Sequence, residues 1–209
     1  MKSSRAVALL SGLLWASGCT AVPPPTLYVL EASVPAPVAK LDVARAGATG
    51  ASRRLAVALG PVTVPEYLDR TDIVRRATDN RLEFSADERW AEPLRAGLQR
   101  LLIATLASRL GPGYWVTGGS GRAGAVDIEV PVDIEAFEED ASGQAVLTAT
   151  WEVRGAGKVA RERTSYRRAV ASSRAEDRVR ALSADATDFA ADLAVAIDTQ
   201  SLSVRRGSP

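Results

Sequence analysis

Residues 126–136, with the sequence VDIEVPVDIEA, determine the predicted fold because apolar and acidic residues alternate along them. The even-numbered positions carry valine, isoleucine or alanine, whereas most of the odd-numbered positions carry aspartate or glutamate. Side chains alternate between the two faces of a strand, so this pattern predicts a β-strand with one buried face and one hydrated face. Such a strand is typical of a sheet that is covered on one side only.

The two segments that follow continue the sheet. Residues 147–153 place Leu147, Ala149, Trp151 and Val153 on one face, and residues 159–170 form a long strand that is rich in arginine. Short turns at 140–143 and 155–158 make the three strands an antiparallel meander. We expect arginines 161, 163, 167 and 168 to pair with acidic residues on a neighbouring strand.

Apolar residues recur at the helical period in two segments, 87–110 and 174–199. Asp87 is the expected N-cap of the first helix, and Gly111, Pro112 and Gly113 end it. Shorter strands are predicted at 26–30, 54–59, 71–76, 81–85 and 114–117, with 71–85 forming a hairpin. The strand at 54–59 is expected to end at Gly60 and Pro61.

These elements predict an α+β fold in two layers, with a mixed, mostly antiparallel sheet and two long helices packed on one face. Residues 26–200 form a single domain in this interpretation. Within it, residues 31–52 are rich in Ala, Pro and Gly and are expected to be a loop or linker, and residues 201–209 are expected to be a flexible tail.

The N-terminus has the features of a secretory signal peptide over residues 1–18: a positive start, a short apolar stretch and small residues at the end. The sequence from Ala16 to Cys19, ASGC, resembles the lipobox of bacterial lipoproteins, in which the cysteine is acylated and becomes the first residue after cleavage. Cys19 is therefore the predicted lipidation site and 19–25 a lipidated tether. Thr20 stands where aspartate retains some such lipoproteins at the inner membrane, which favours the periplasmic face of the outer membrane.

The composition argues against several classes of function. The chain has no histidine, one cysteine and a net charge of +1. Histidine is the commonest general base and metal ligand, and a lone cysteine cannot form an internal disulfide. We therefore predict a protein that is not an enzyme and that needs no metal or cofactor. The near-neutral charge gives no indication of a nucleic-acid partner.

Two motifs admit both a functional and a structural interpretation. Residues 119–124 match the dinucleotide fingerprint GxGxxG, but the segment that follows is a strand and not the required helix, so a glycine-rich turn is favoured. The acidic residues from 127 to 140 could suggest paired catalytic carboxylates or a calcium site. Their alternation places Asp127, Glu129, Asp133 and Glu135 on the hydrated face, which favours ion pairing instead.

Residues 60–76, GPVTVPEYLDRTDIVRR, follow neither period. Pro65 prevents a central strand at that point. The mixture of proline, tyrosine and charge is typical of a contact surface, but it is equally compatible with a connection between a strand and a hairpin. The residues alone leave both possibilities open.

The segments GPVTVPEYLDR at 60–70, IVRR at 73–76, NRL at 80–82 and RWAEPL at 89–94 together resemble the PqiC (YmbA) lipoproteins. These are auxiliary components of ABC-type and MCE-type lipid transport systems. The resemblance implies an outer-membrane subunit that supports envelope integrity and acts with an MCE-domain periplasmic protein (PqiB-like) and, indirectly, an inner-membrane transporter subunit. It supplies no catalytic residues. The implied partner-binding residues are Pro65, Tyr67, Leu68, Asp69, Arg70, Arg89, Trp90 and Glu92.

Two functions follow from the resemblance. In the first, the protein is a docking and assembly module for the periplasm-spanning MCE protein, and it is expected to form a homo-oligomer. In the alternative, it is a periplasmic lipid carrier with an apolar cavity of its own. A carrier needs surplus apolar lining, and the chain has only three phenylalanines, so the docking module is favoured.

Overall fold

The computed structural model describes residues 23–32, 53–119 and 126–207. Cys19, the predicted signal peptide, most of the predicted linker at 31–52 and all but Gly119 of the glycine-rich motif lie outside the described residues. The strands are β1 (Thr26–Tyr28), β2 (Leu55–Thr63), β3 (Asp72–Thr78), β4 (Arg81–Trp90), β5 (Tyr114–Gly118), β6 (Ile128–Glu139), β7 (Gln144–Gly155) and β8 (Lys158–Ala169). The helices are α1 (Leu94–Leu110), which a short 3-10 turn follows, and α2 (Ala175–Gly207).

Strand β6 is the centre of the sheet. One of its edges pairs antiparallel with β7, which pairs antiparallel with β8. Its other edge is shared, because the first half of β6 pairs parallel with β2 and its last residue pairs with β3. Beyond these, β5 pairs parallel with β2, β4 pairs antiparallel with β3, and β1 pairs parallel with β4. The mixed sheet of an α+β fold is confirmed, and its longest ladders, β6–β7 and β7–β8, are antiparallel.

Both helices pack on the same face of this sheet and against each other. The alternation that predicted β6 supplies the core: Ile128, Val130, Val132 and Ile134 are each at most 2% exposed. The predicted apolar stripe of α2 is also buried, at Val179, Leu182, Ala186, Phe189, Leu193 and Ile197. No helix of the described residues packs on the opposite face of β6, the open face, where the acidic side chains of this strand lie.

The alternation shifts near the end of β6. The register changes between Ile134 and Ala136, which is a β-bulge. A bulge adds one residue to its strand and reverses the faces that follow. Phe137 therefore lies in the core, whereas Ala136, which was expected there, is only half-buried.

The first helix begins later than predicted. Strand β4 continues through Trp90, whose backbone N–H donates to the carbonyl of Thr71, and Pro93 occupies the N-cap position of α1. Asp87 therefore lies in a strand and caps no helix. The helical spacing of Trp90 with Leu94 and Leu98 is a coincidence, because Trp90 reaches the same core from a strand.

Two other elements are longer than predicted. Strand β2 continues through Gly60 and Pro61 to Thr63, with an irregularity in its β6 pairing between Leu59 and Val62. Helix α2 continues to Gly207, past its expected end at Thr199. Ser201 and Val204 are 1% and 8% exposed, so this part of the helix packs on the domain although its sequence is largely polar.

Candidate functional site

The loop of residues 64–71, which joins β2 to β3, contains most of the motif that sequence analysis selected. The carbonyl oxygen of Pro65 accepts hydrogen bonds from the backbone N–H groups of Leu68 (2.9 Å) and Asp69 (3.1 Å). This tight turn directs Leu68 into the core, where it is 1% exposed, and leaves Asp69 and Arg70 at the surface.

Tyr67 connects this loop to the sheet through a buried carboxylate. Its hydroxyl donates to Oε2 of Glu138 (2.8 Å), and Nε of Arg76 donates to Oε1 of the same residue (2.8 Å). Glu138 is only 2% exposed. Burial, together with the hydrogen bond to Glu138, raises the pKa of Tyr67 to about 12, so the hydroxyl stays protonated as a donor at neutral pH.

Replacing Tyr67 with phenylalanine is expected to lower the free energy of unfolding by about 1–2 kcal/mol, because it deprives a buried carboxylate of one donor. Urea unfolding followed by tryptophan fluorescence measures the change. Tyr28→Phe is the control, since the Tyr28 hydroxyl makes no hydrogen bond to the described residues. Equal stabilities for the two variants would contradict the structural role of Tyr67.

The exposed part of the motif forms a charged network with one aromatic ring. Arg70 and Arg89 both approach Asp72, at 3.1 and 3.7 Å. The guanidinium of Arg70 also lies over the ring of Phe84, 4.7 Å from its centroid. Asp69 pairs with Arg95 of α1. Exposed ion pairs of this kind contribute little to stability. These side chains are therefore available for contacts with another molecule.

The structure therefore divides the predicted partner-binding residues. Leu68 and Trp90 are core residues, Tyr67 and Pro65 shape the loop, and only three of the predicted residues present exposed charged groups, namely Asp69, Arg70 and Arg89. Glu92 accepts a hydrogen bond from Nε of Arg100 (3.0 Å). Nη2 of the same arginine donates to the carbonyl oxygen of Leu30 (3.0 Å). Glu92 thus helps to hold the end of the first segment against α1, and partner binding by this set remains a prediction.

Arg178 and Glu139 form a buried ion pair that was not predicted from the sequence. Nε of Arg178, on α2, donates to Oε2 of Glu139 at 2.5 Å, and both side chains are 9% exposed. Nη1 of Arg178 lies 3.6 Å from Glu88 of β4. The available signal was the position of Arg178 beside Val179 and four residues before Leu182, which places it on the buried side of the helix.

Three of the four acidic residues predicted on the open face pair with arginines, whereas Asp133 accepts from the hydroxyl of Thr63. Arg163 pairs with Glu135 across β7 at 2.7 Å, which confirms the predicted pairing and lowers the pKa of Glu135. Arg161 and Arg167 pair with Glu152 and Asp140. The prediction for Arg168 is wrong, because this side chain lies on the helix-covered face and pairs with Asp185 and Asp188 of α2. Within the described ranges, no group of three or more Cys, Asp or Glu side chains is arranged to hold a metal ion.

Two surface depressions bear on lipid binding. One lies on the open face between Pro61, Pro131 and Glu152, with a volume of about 190 Å³. The other, of about 460 Å³, lies on the outer side of α1 along Ala96, Ile103 and Ala104. Both are shallow and open to solvent. Neither described helix combines the length and hydropathy needed to cross a bilayer.

Comparison with known proteins assigns the class. Residues 40–194 match the family described as "ABC-type transport auxiliary lipoprotein component". This match covers well over half of the chain, so the protein belongs to that family of transport auxiliary lipoproteins, in agreement with the resemblance to the PqiC (YmbA) group.

Curated relatives within the group include "Intermembrane transport lipoprotein PqiC" of Escherichia coli K12, which is 29% identical over 98 residues. The aligned part is 47% of this chain and 51% of the relative, and the same values hold for the protein of that name in Shigella flexneri. The chain thus spans about half the length of the curated relatives it matches.

Two crystal structures share the fold. One, of an uncharacterized protein, has a TM-score of 0.68 at 19% identity. The other, of a Xanthomonas campestris protein, has a TM-score of 0.62 at 17% identity. Each match covers 84% of this chain and 99% of the other, and at these identities the likeness shows the fold alone.

Proposed function

We propose that this protein is the outer-membrane subunit of an intermembrane lipid transport system, anchored through Cys19, and that its folded domain is a docking module for a periplasm-spanning MCE-domain protein. The family match and the name of the PqiC relatives support a place in such a system. In this role the protein is a non-catalytic assembly component.

The observation that favours docking over lipid carriage is the way the core is filled. The side chains of both helices interdigitate with those of the sheet, and Leu98, Leu102, Phe189 and Leu193 are each 0% exposed. A protein interior at this density has no room for an acyl chain. The depressions in the described surface are shallow. A surface of this shape is better suited to contact with a partner protein than to enclosing a lipid.

The alternative is a lipid carrier that uses the apolar groove along α1. Ala96, Ile103 and Ala104 supply its lining, and Gln99 and Arg100 supply polar groups. A bound acyl chain there would remain partly in water, which makes this alternative weaker. The carrier alternative nevertheless predicts a different result, because a lipid carrier is expected to purify with bound phospholipid.

Replacing Cys19 with serine tests both ideas. We expect Cys19→Ser to leave the outer-membrane fraction and to accumulate as precursor or as soluble periplasmic protein, because the acyl chains provide the attachment. The soluble form is expected to retain the MCE-domain protein in co-purification, since the folded domain makes the contact. Fractionation, affinity capture and mass spectrometry of extracted lipid are the measurements.

The possible outcomes separate the hypotheses. A Cys19→Ser protein that still fractionates with the outer membrane would contradict the anchor. A wild-type protein that captures no MCE-domain protein would contradict docking. Phospholipid at a stoichiometric amount in the purified soluble form would favour the carrier instead.

A further inference from the structure

Three exposed apolar side chains lie on β4 and in the segment 23–32, which follows the proposed anchor in the chain. Leu27 and Val29 are 61% and 44% exposed, and Phe84 of β4 is 43% exposed. The other large exposed apolar residues of the described chain are spread over β5, β8 and α2, at Trp115, Val159, Val195 and Leu202. Soluble surfaces tolerate single apolar residues, whereas a cluster beside a membrane attachment point indicates a contact.

The three residues belong to one continuous surface. Leu27 is the register partner of Arg89 in the β1–β4 pair. Arg89 and Arg70 share Asp72, and Arg70 covers the ring of Phe84. We call this surface, made of Leu27, Val29, Arg70, Phe84 and Arg89, the β1–β4 patch.

The length of the tether limits how far β1 can lie from the membrane surface. Six residues separate Cys19 from Thr26, so the chain makes seven steps between them. An extended chain spans at most about 3.6 Å per step, which gives a reach of about 25 Å. An acylated Cys19 sits at the lipid surface, so β1 cannot lie farther from that surface than this distance. The β1–β4 patch, which includes β1, is therefore within reach of the membrane surface.

The charges around the patch are compatible with lipid headgroups. Arg70 and Arg89 share one carboxylate, and Arg75 and Arg81 likewise share Glu83. The exposed Asp87 and Glu31 offset the resulting excess of two positive charges. The patch therefore carries no net charge, and its apolar side chains provide the contact with the acyl boundary below the headgroups.

We propose that the β1–β4 patch rests on the phospholipid surface, with Leu27 and Phe84 inserted below the headgroups and Arg70 and Arg89 at headgroup level. This inference rests on the proposed function, because it takes Cys19 as the anchor. It assigns the exposed arginines of the motif to lipid and not to a protein partner. The MCE-domain protein then docks on a part of the domain that faces away from the membrane.

The single cysteine of the chain makes a direct test possible, because its acylation leaves any introduced cysteine as the only free thiol. Full-length lipidated Leu27→Cys and Phe84→Cys are labelled with the environment-sensitive fluorophore NBD and reconstituted in phosphatidylethanolamine–phosphatidylglycerol vesicles. Val195→Cys is the matched control, since Val195 is 67% exposed and lies about 30 Å along α2 from the end of the helix next to β1.

We expect the labels at positions 27 and 84 to show blue-shifted, several-fold stronger emission that nitroxide lipids quench, and the label at 195 to remain as in water. Vesicles that float without the protein would contradict the anchor and hence the proposed function. Protein that floats while all three labels remain in water would overturn the patch alone. Labels that respond only when the MCE-domain protein is added would overturn it in favour of a protein partner.

Discussion

Replacing Arg178 with methionine is expected to lower the free energy of unfolding by about 3–5 kcal/mol. The substitution keeps much of the side-chain volume but leaves the carboxylate of Glu139 in the interior without the guanidinium that now donates to it at 2.5 Å. An uncompensated buried charge is among the most destabilising changes that a single substitution can cause. Urea unfolding monitored by the fluorescence of the four tryptophans measures the effect.

The same helix offers a matched control. Arg180 pairs with Asp177 at 2.6 Å, but its side chain is 71% exposed, so Arg180→Met is expected to cost less than about 1 kcal/mol. Arg178→Met combined with Glu139→Leu is expected to recover most of the loss, because neither charge is then left alone. If Arg178→Met costs no more than Arg180→Met, the buried pair does not secure α2 to the sheet.

Replacing Asp185 with asparagine is expected to stabilise the protein at pH 7.5 by about 2–3 kcal/mol and to leave its stability nearly unchanged at pH 4. Asp185 is 1% exposed, and its Oδ2 atom has no hydrogen-bond partner. Burial, and to a lesser extent the nearby Asp188, raise the pKa of Asp185 from 3.8 to about 6, although Arg168 donates to its Oδ1 at 3.0 Å and opposes the rise.

The sign of this effect follows from proton linkage. Between about pH 4 and pH 6 the folded protein holds a proton on Asp185 that the unfolded chain releases, so the wild-type stability contributed by this group falls as the pH rises through that window. An asparagine has no proton to lose, but it keeps an acceptor for Arg168. The rise of the Asp185 pKa from 3.8 to about 6 corresponds to about 3 kcal/mol.

The neighbouring aspartate provides the control for this experiment. Asp188 also pairs with Arg168, at 2.6 Å, but its side chain is 54% exposed. Asp188→Asn is therefore expected to change the stability little at either pH. Urea unfolding at pH 4, 5.5 and 7.5 compares the wild-type protein with the two variants. If the difference in free energy of unfolding between the wild type and Asp185→Asn does not vary with pH, Asp185 is not buried as a charge.

The fold followed from the sequence where a single physical rule operates along a segment. The alternation at 128–134 and the helical period at 179–197 each describe one face against one core, and both are confirmed. The strand was predicted to begin at Val126, but Val126 lies before β6 and is only half-buried. Errors arose where two rules compete. Trp90 satisfied the helical period of α1 but belongs to β4, and Pro93, which is compatible with the start of a helix, was the better boundary signal.

The candidate site was less predictable because its roles depend on distant partners. Tyr67 and Glu138 are 71 positions apart, so nothing in the local sequence indicates that a buried carboxylate holds the tyrosine. The bulge near Ala136 likewise changes the faces of Glu138 and Glu139, and it has no strong signature in the residues themselves. The linear motif does not show which of Leu68 and Arg70 is exposed. The turn at Pro65 directs Leu68 into the core and leaves Arg70 at the surface.

The central position of β6 also determines the order in which the chain becomes able to fold. Val57 of β2 pairs with Ile128 of β6, and Arg75 of β3 pairs with Glu139 of the same strand. Both β2 and β3 therefore depend on a strand that is synthesised after them. Folds dominated by such non-local pairs form slowly. The nascent chain therefore cannot complete its sheet until β6, which ends two-thirds of the way along the chain, has been synthesised.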